Sequence, residues 1–221
     1  MKIIVFYTNK CKVLYENFFL PSVQKYGEYT IDDKSLNVLT DKEYNTLEWI
    51  KLMRYKVEII LNEILKDTKE FFMYNDVDIE YFGKTKDIIL ENIKDKDIVF
   101  QRNDSGNPNA GIIICKSDKT NLNTINFFKK VIEILDYNYN NISKFPNIEY
   151  SSLSDNTTMY KLLLEEKFPV NWGLLPKEFI TGRLPSRGEI PNHNILLHHA
   201  TCVTNVNDKI KQMNFIRNNI K

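Results

Sequence analysis

The sequence predicts a single α/β domain built on a mainly parallel central sheet flanked by helices. Three observations carry that expectation. Short apolar, β-branched runs alternate with amphipathic stretches of helical period, the order of strand and helix that a parallel sheet requires. At 221 residues and 43% hydrophobic content the chain has enough material for one substantial core. No internal repeat or low-complexity linker divides it.

The elements follow in order. Residues 2–7, a continuous apolar run ending in Thr8-Asn9-Lys10, read as a buried first strand. Residues 12–25 place Val13, Leu14, Phe18 and Val23 at mixed helical spacing around Pro21, which predicts a helix broken or kinked there. A short strand is expected over 29–33. From 46 to 66 an i, i+3/i+4 rhythm through Leu47, Ile50, Met53, Val57, Ile60 and Ile64 marks a long amphipathic helix. The run 71–74 is a strand, followed by a short helix over 86–93 and a strand over 97–101. Gly106 and Pro108 signal a turn over 103–109, and 110–115 resume strand character. Residues 121–135 are helical, 137–152 form a surface loop, and 154–166 form a helix capped by Ser154 or Asp155. The segment 171–191 holds Gly173, Gly182, Gly188, Pro176, Pro185 and Pro191 with Arg183 and Arg187 between them, and reads as an irregular closing loop. A strand over 195–197 ends in His198-His199, and 208–220 form a terminal helix.

Composition narrows the function. Thirty Lys and Arg against 29 Asp and Glu leave no global basic field for nucleic acid. Cys11, Cys115 and Cys202 are odd in number and lack zinc-site spacing, so they read as reduced thiols, two of them buried. No run approaches the length of a membrane span. The apolar start has no small-residue cleavage site after it, so it reads as a strand and not as a signal peptide, and a soluble, cytoplasmic protein is expected.

Four polar clusters stand at predicted strand ends: Thr8-Asn9, Asp76 with Asp78, Gln101-Arg102 and His198-His199. In an open α/β sheet such ends gather ligands at one edge. Two carboxylates spaced i, i+2 supply oxygen ligands for Mg²⁺ or Mn²⁺, and a histidine at another strand end is a candidate third ligand. Taken alone, an acidic strand end is also ordinary turn chemistry, and a histidine pair is commonly structural.

Read together, Tyr74-Asn75-Asp76-Val77-Asp78-Ile79-Glu80-Tyr81-Phe82, then Asp97-Ile98-Val99-Phe100-Gln101, then Asn109-Ala110-Gly111, and finally His198-His199-Ala200-Thr201 through Lys209-Ile210, resemble the nucleotide-diphospho-sugar transferase family. These are glycosyltransferases of the A-type fold. The resemblance implies a Rossmann-like nucleotide-binding half over 1–101 and a sugar and acceptor side over 102–221. It implies a UDP-sugar donor, a hydroxyl acceptor on a glycan, protein or small molecule, and Mn²⁺ or Mg²⁺ as cofactor. By position, Asp76 would contact ribose and metal, Asp78 would bind the metal, and His199, with His198 as fallback, would complete the site. Tyr7, Thr8 and Asn9 would lie beside the base. Lys56, with Arg54 as second choice, would contact the donor, Lys209 the diphosphate, and Gln101, Asn109 and Gly111 would also line the donor site. Asp155 and Asn156 match the family's Asp-Gln pair, Asp155 being the candidate base of an inverting reaction, while Arg183 and Arg187 are candidates for phosphate or acceptor contacts. Two departures are Asn156 for the family's Gln and Ala200-Thr201 for Ala-Asn or Asn-Asn. The rivals are an aspartate-nucleophile phosphatase, against which Glu80 stands where Thr or Val is usual, and a non-catalytic nucleotide-sugar-binding module.

Overall fold

The computed structural model describes residues 1–36, 46–145 and 147–220; Pro146, within the loop expected over 137–152, lies outside them. The chain runs from β1 (Lys2–Thr8) through α1 (Lys12–Leu14), a π turn (Tyr15–Phe19) and α2 (Leu20–Tyr26) to β2 (Thr30–Leu36) and the long α3 (Leu47–Leu65). β3 (Phe71–Asn75) and β4 (Ile79–Tyr81) flank the acidic link 76–78, and α4 (Lys86–Ile93) leads to β5 (Ile98–Arg102) and β6 (Pro108–Lys116). After α5 (Leu122–Asn140) and α6 (Asp155–Tyr160) come the short strands β7 (Trp172–Leu174), β8 (Phe179–Thr181) and β9 (Leu197–His199), then α7 (Val206–Asn219).

Among the described residues the central sheet has six strands in the order β2-β1-β3-β6-β5-β7, and a second sheet has the order β4-β9-β8. The central sheet is mostly parallel, as expected, but β6 runs antiparallel to both β3 and β5. The cause is the tight turn after β5, where the Asn103 side chain accepts from the backbone N–H of Ser105 and Asn107, both at 2.9 Å. So short a return brings the chain back beside the strand it has left, which only antiparallel pairing permits.

Helices cover both faces. One core lies under α3, α5 and α6, where Ile50, Val57, Ile60 and Ile64 are buried against Phe72, Phe100, Phe127 and Phe128. The other lies under α2, α4 and α7, around Ile3, Val5, Met73, Ile112 and Met213. Each fully buried aliphatic side chain contributes about 1.5–3 kcal/mol, so the rhythm of α3 anchors the first core. Thr46 caps α3 by accepting from Trp49 N–H, and Ser154 caps α6 by accepting from Thr157 N–H.

Several expectations change. Residues 137–140 belong to α5, and 171–191 contain β7 and β8, strands of three residues that show no period in sequence. His198 and His199 lie within β9 and do not follow it. Of the cysteines only Cys115 is buried. Pro21 does not break its helix; the π turn precedes it, and the Asn17 carbonyl, to which proline cannot donate, accepts from Arg217 Nη2 at 3.0 Å. No described helix is long and apolar enough to cross a membrane.

An ion-pair clamp ties β1 to α3. Buried Glu63 accepts from Lys2 Nζ at 2.5 Å and from Lys66 Nζ at 2.7 Å. Burial alone would raise the Glu63 pKa, but the two ammonium groups outweigh it and hold the carboxyl below its ordinary value. The contribution is therefore full above the unfolded glutamate pKa, about 4.3, and is lost as pH falls through the lower folded value. Glu63→Gln is expected to cost about 1–2 kcal/mol at neutral pH and to lessen the acid sensitivity of the urea midpoint below that value.

Candidate active site

A cavity of about 700 Å³ opens at the ends of β1 and β3, the edge where open α/β sheets gather ligands. Because β3 belongs to the large sheet and β4 to the small one, residues 76–78 cross between them and turn both carboxylates into the cavity wall. β9 pairs with β4 in the register Ile79↔His199, which sets His199 beside that crossing. Asp76 N–H donates to the Gly111 carbonyl at 2.8 Å and Ala200 N–H to the Asp78 carbonyl at 2.9 Å, fixing the crossing at both ends. Gly111 leaves room for the imidazole: a Cβ there would lie 2.0 Å from His199 Cε1.

His199 Nε2 lies 3.7 Å from Asp76 Oδ2 and 3.4 Å from Asp78 Oδ1. One ligand atom from each of the three residues falls within 4.8 Å of the others, and among the described residues this is the cluster of its kind that could hold a metal ion. Two carboxylates and an imidazole suit a divalent cation that keeps open positions.

Two lysines complete the charge balance. Lys56, 2% exposed, pairs with Asp76 at 3.2 Å and Asp155 at 2.9 Å, and its ammonium lies 5.1 Å from the centre of the Tyr74 ring. Burial would lower its pKa, but Asp155 and Asp76 outweigh that and raise it. Lys209, at the start of α7, contacts Asp78 Oδ2. Burial works to raise the Asp78 pKa, yet the Lys209 ammonium holds that carboxyl well below the usual carboxylate range. At Asp76 burial prevails over the pull of Lys56, and its pKa is raised.

The structure gathers most of the sequence-predicted residues. Tyr7, Thr8, Lys56, Asp76, Asp78, Asn109, Gly111, Asp155, Asn156, His199 and Lys209 all line the cavity. The cap of α6 is Ser154, which frees Asp155 for Lys56. Asn109 Oδ1 accepts from Gly111 N–H at 2.9 Å and Asn156 Oδ1 from Ala110 N–H at 2.8 Å, leaving each amide nitrogen to donate.

Others fall outside. Asn9 opens a 3₁₀ turn over Asn9–Cys11, and Lys10 and Cys11 take its place in the wall. Gln101 is buried behind His199, out of contact with the cavity. His198 points to the opposite face of β9, as strand alternation requires, where burial, with His199 next, pushes its pKa down to about 3. Arg54 pairs with Asp136 and Glu58 on the side of α3 facing α5. Arg183 reaches Ser105, and neither it nor Arg187 lines the cavity, because β8 ties this segment into the small sheet.

Sequence reasoning missed the rim residues 201–206 and the face Trp49, Leu52 and Met53. That face had a signal. Trp49, Leu52, Met53 and Lys56 stand at i, i+3, i+4 and i+7, one stripe of α3 ending in a lysine.

The sequence model of the nucleotide-diphospho-sugar transferase family matches residues 19–213. No curated protein matches the chain. Among solved structures, the glycosyltransferase GlyE of Streptococcus pneumoniae TIGR4 superposes with a TM-score of 0.60 at 13% identity, covering 97% of this chain and 60% of that one. A glycosyltransferase involved in the glycosylation of the major capsid of PBCV-1 gives a TM-score of 0.60 at 13% identity, covering 96% and 97%. The chain thus spans about 60% of the length of GlyE. At these identities the likeness speaks for the fold, which is of the glycosyltransferase A type. With that fold, and with a family match across most of its length, the chain belongs to the nucleotide-diphospho-sugar transferase family.

Proposed function

We propose that the protein transfers a sugar from a nucleotide diphosphate donor, a UDP-sugar, to a hydroxyl acceptor, with Mn²⁺ or Mg²⁺ held by Asp76, Asp78 and His199. The observation that carries this reading is the convergence of Asp76 and Asp78, from one link, with His199, from more than 100 residues further along the chain, beside Lys209. A divalent cation bound there would neutralise charge on the departing diphosphate. Residues 1–101 would supply the nucleotide side, with Thr8 and Tyr7 at the end of β1 beside the base, and 102–221 the sugar and acceptor side.

The protein's own groups have distinct tasks. Lys209 offers an ammonium at the point where phosphate charge develops. Asn109 and Asn156, their carbonyl oxygens already engaged, present amide donors to sugar hydroxyls. Lys56 holds Asp155 and Asp76 in place, and Asp155 is the carboxylate nearest to the role of base or sugar contact. Family membership sets the phosphatase reading aside. A nucleotide-sugar-binding module without catalysis is the reading that the assay below separates from a transferase.

Four measurements test the site. Calorimetric titration with UDP should show Mn²⁺-dependent binding that Asp78→Ala weakens at least about 100-fold; binding that ignores the metal would sink the proposal. If UDP and Mn²⁺ bind but no sugar nucleotide is hydrolysed or transferred in a donor screen, the protein is a binding module. Lys56→Met strands two carboxylates in the wall and should lower stability by about 3–5 kcal/mol in urea unfolding. Gly111→Ala should displace the His199 ring, costing about 1–3 kcal/mol and most of the Mn²⁺ affinity.

A further inference from the structure

Gln101 has no contact with the cavity, yet its side chain is bonded at every position that matters. Its Nε2 donates to the Phe179 carbonyl at 3.2 Å and to the Ile180 carbonyl at 3.0 Å, so both amide hydrogens are committed to carbonyl oxygens of β8. That commitment fixes which way the amide faces. The oxygen Oε1 is left toward His199 Nδ1, 2.8 Å away, and an amide oxygen can only accept. The hydrogen of a neutral His199 ring must then sit on Nδ1. Nε2, which faces Asp76 Oδ2 and Asp78 Oδ1, is left with a lone pair.

The backbone explains why Gln101 reaches this position. The β5–β6 ladder shifts register between Phe100, opposite Ile113, and Gln101, opposite Asn109. Such bulges re-aim side chains at sheet edges and next to sites. Here the irregularity lies on β6, where 110–112 have no partner on β5 and Gly111 accommodates the His199 ring, while Gln101 faces β8 by alternation with Phe100, which packs in the core under α3. Because β8 is the parallel neighbour of β9, with Thr181 opposite His199, the same amide that orients the ring also ties the large sheet to the strand carrying it.

We propose that Gln101 is a positioning residue that holds His199 as the Nδ1–H tautomer, so that its Nε2 lone pair is aimed at the cation site between Asp76 and Asp78. This rests on the metal reading given above, in which His199 is a ligand. Partners of this kind, when removed, typically cost 10- to 100-fold in metal affinity.

The test uses the full chain in two ways. In metal-free protein labelled with ¹⁵N-histidine, at a mildly alkaline pH, long-range proton–nitrogen spectra should show His199 protonated on Nδ1. In Gln101→Met, which removes the acceptor and keeps the bulk, the ring should populate both tautomers, and Mn²⁺ affinity, read by electron paramagnetic resonance without nucleotide, should fall 10- to 100-fold. An Nε2–H tautomer in the wild type overturns the proposal whether or not the variant folds. Equal Mn²⁺ affinity in the wild type and a folded variant overturns it while leaving the metal site standing. A wild type that binds no Mn²⁺ overturns the metal reading first, and this proposal with it.

Discussion

The three residue pairs that join β4 to β9 are the constraint on which the site depends. They set the far end of the chain against the acidic crossing, and they do so in one register. Side chains alternate along a strand, so a slip of one residue would exchange the two faces of β9. His198 would then face the carboxylates and His199 would enter the core. The pairing is pinned from both sides: Phe82 N–H donates to the Leu196 carbonyl, Ala200 N–H to the Asp78 carbonyl, and β8 lies along the other edge of β9. Burial reinforces it, since Leu197, on the His199 side by alternation, is itself fully enclosed.

Charge is the second constraint. A buried ammonium is tolerated only when paired, and Lys56 has two carboxylate partners, one from the acidic crossing and one from the first turn of α6. The pairs therefore position elements as well as charges. α3, α6 and the crossing meet at a single nitrogen atom, and the cavity wall beside them inherits that geometry.

Much of the fold was legible because its larger elements are strongly periodic. The stripe on α3, the apolar runs of β1 and β3 and the cap at Ser154 follow from local chemistry. The direction of β6 was not legible, since a turn rich in Asn, with Gly106 and Pro108, reveals a change of course without its sense. β7 and β8 escaped notice because three residues do not establish a period. At the site, the Asp and His ligand candidates stood out by residue type and order, and the family resemblance supplied their roles. Gln101 was assigned to the donor, one step too close, because the sequence does not show that β8 and β9 come to lie against that face of β5. Asn9 and the two loop arginines were placed by proximity along the chain, where a 3₁₀ turn and a short strand changed the path.

The empty space at Gly111 links two positions far apart in the chain. It is filled by the His199 ring, whose Cε1 would lie 2.0 Å from a Cβ at that position. Mutation at one of these positions changes what the other can be: a larger residue at 111 becomes admissible only once the imidazole is gone, and by then the reason for a glycine has gone as well. The pair should drift together or not at all, which makes it a sharper marker of a working site than either residue alone.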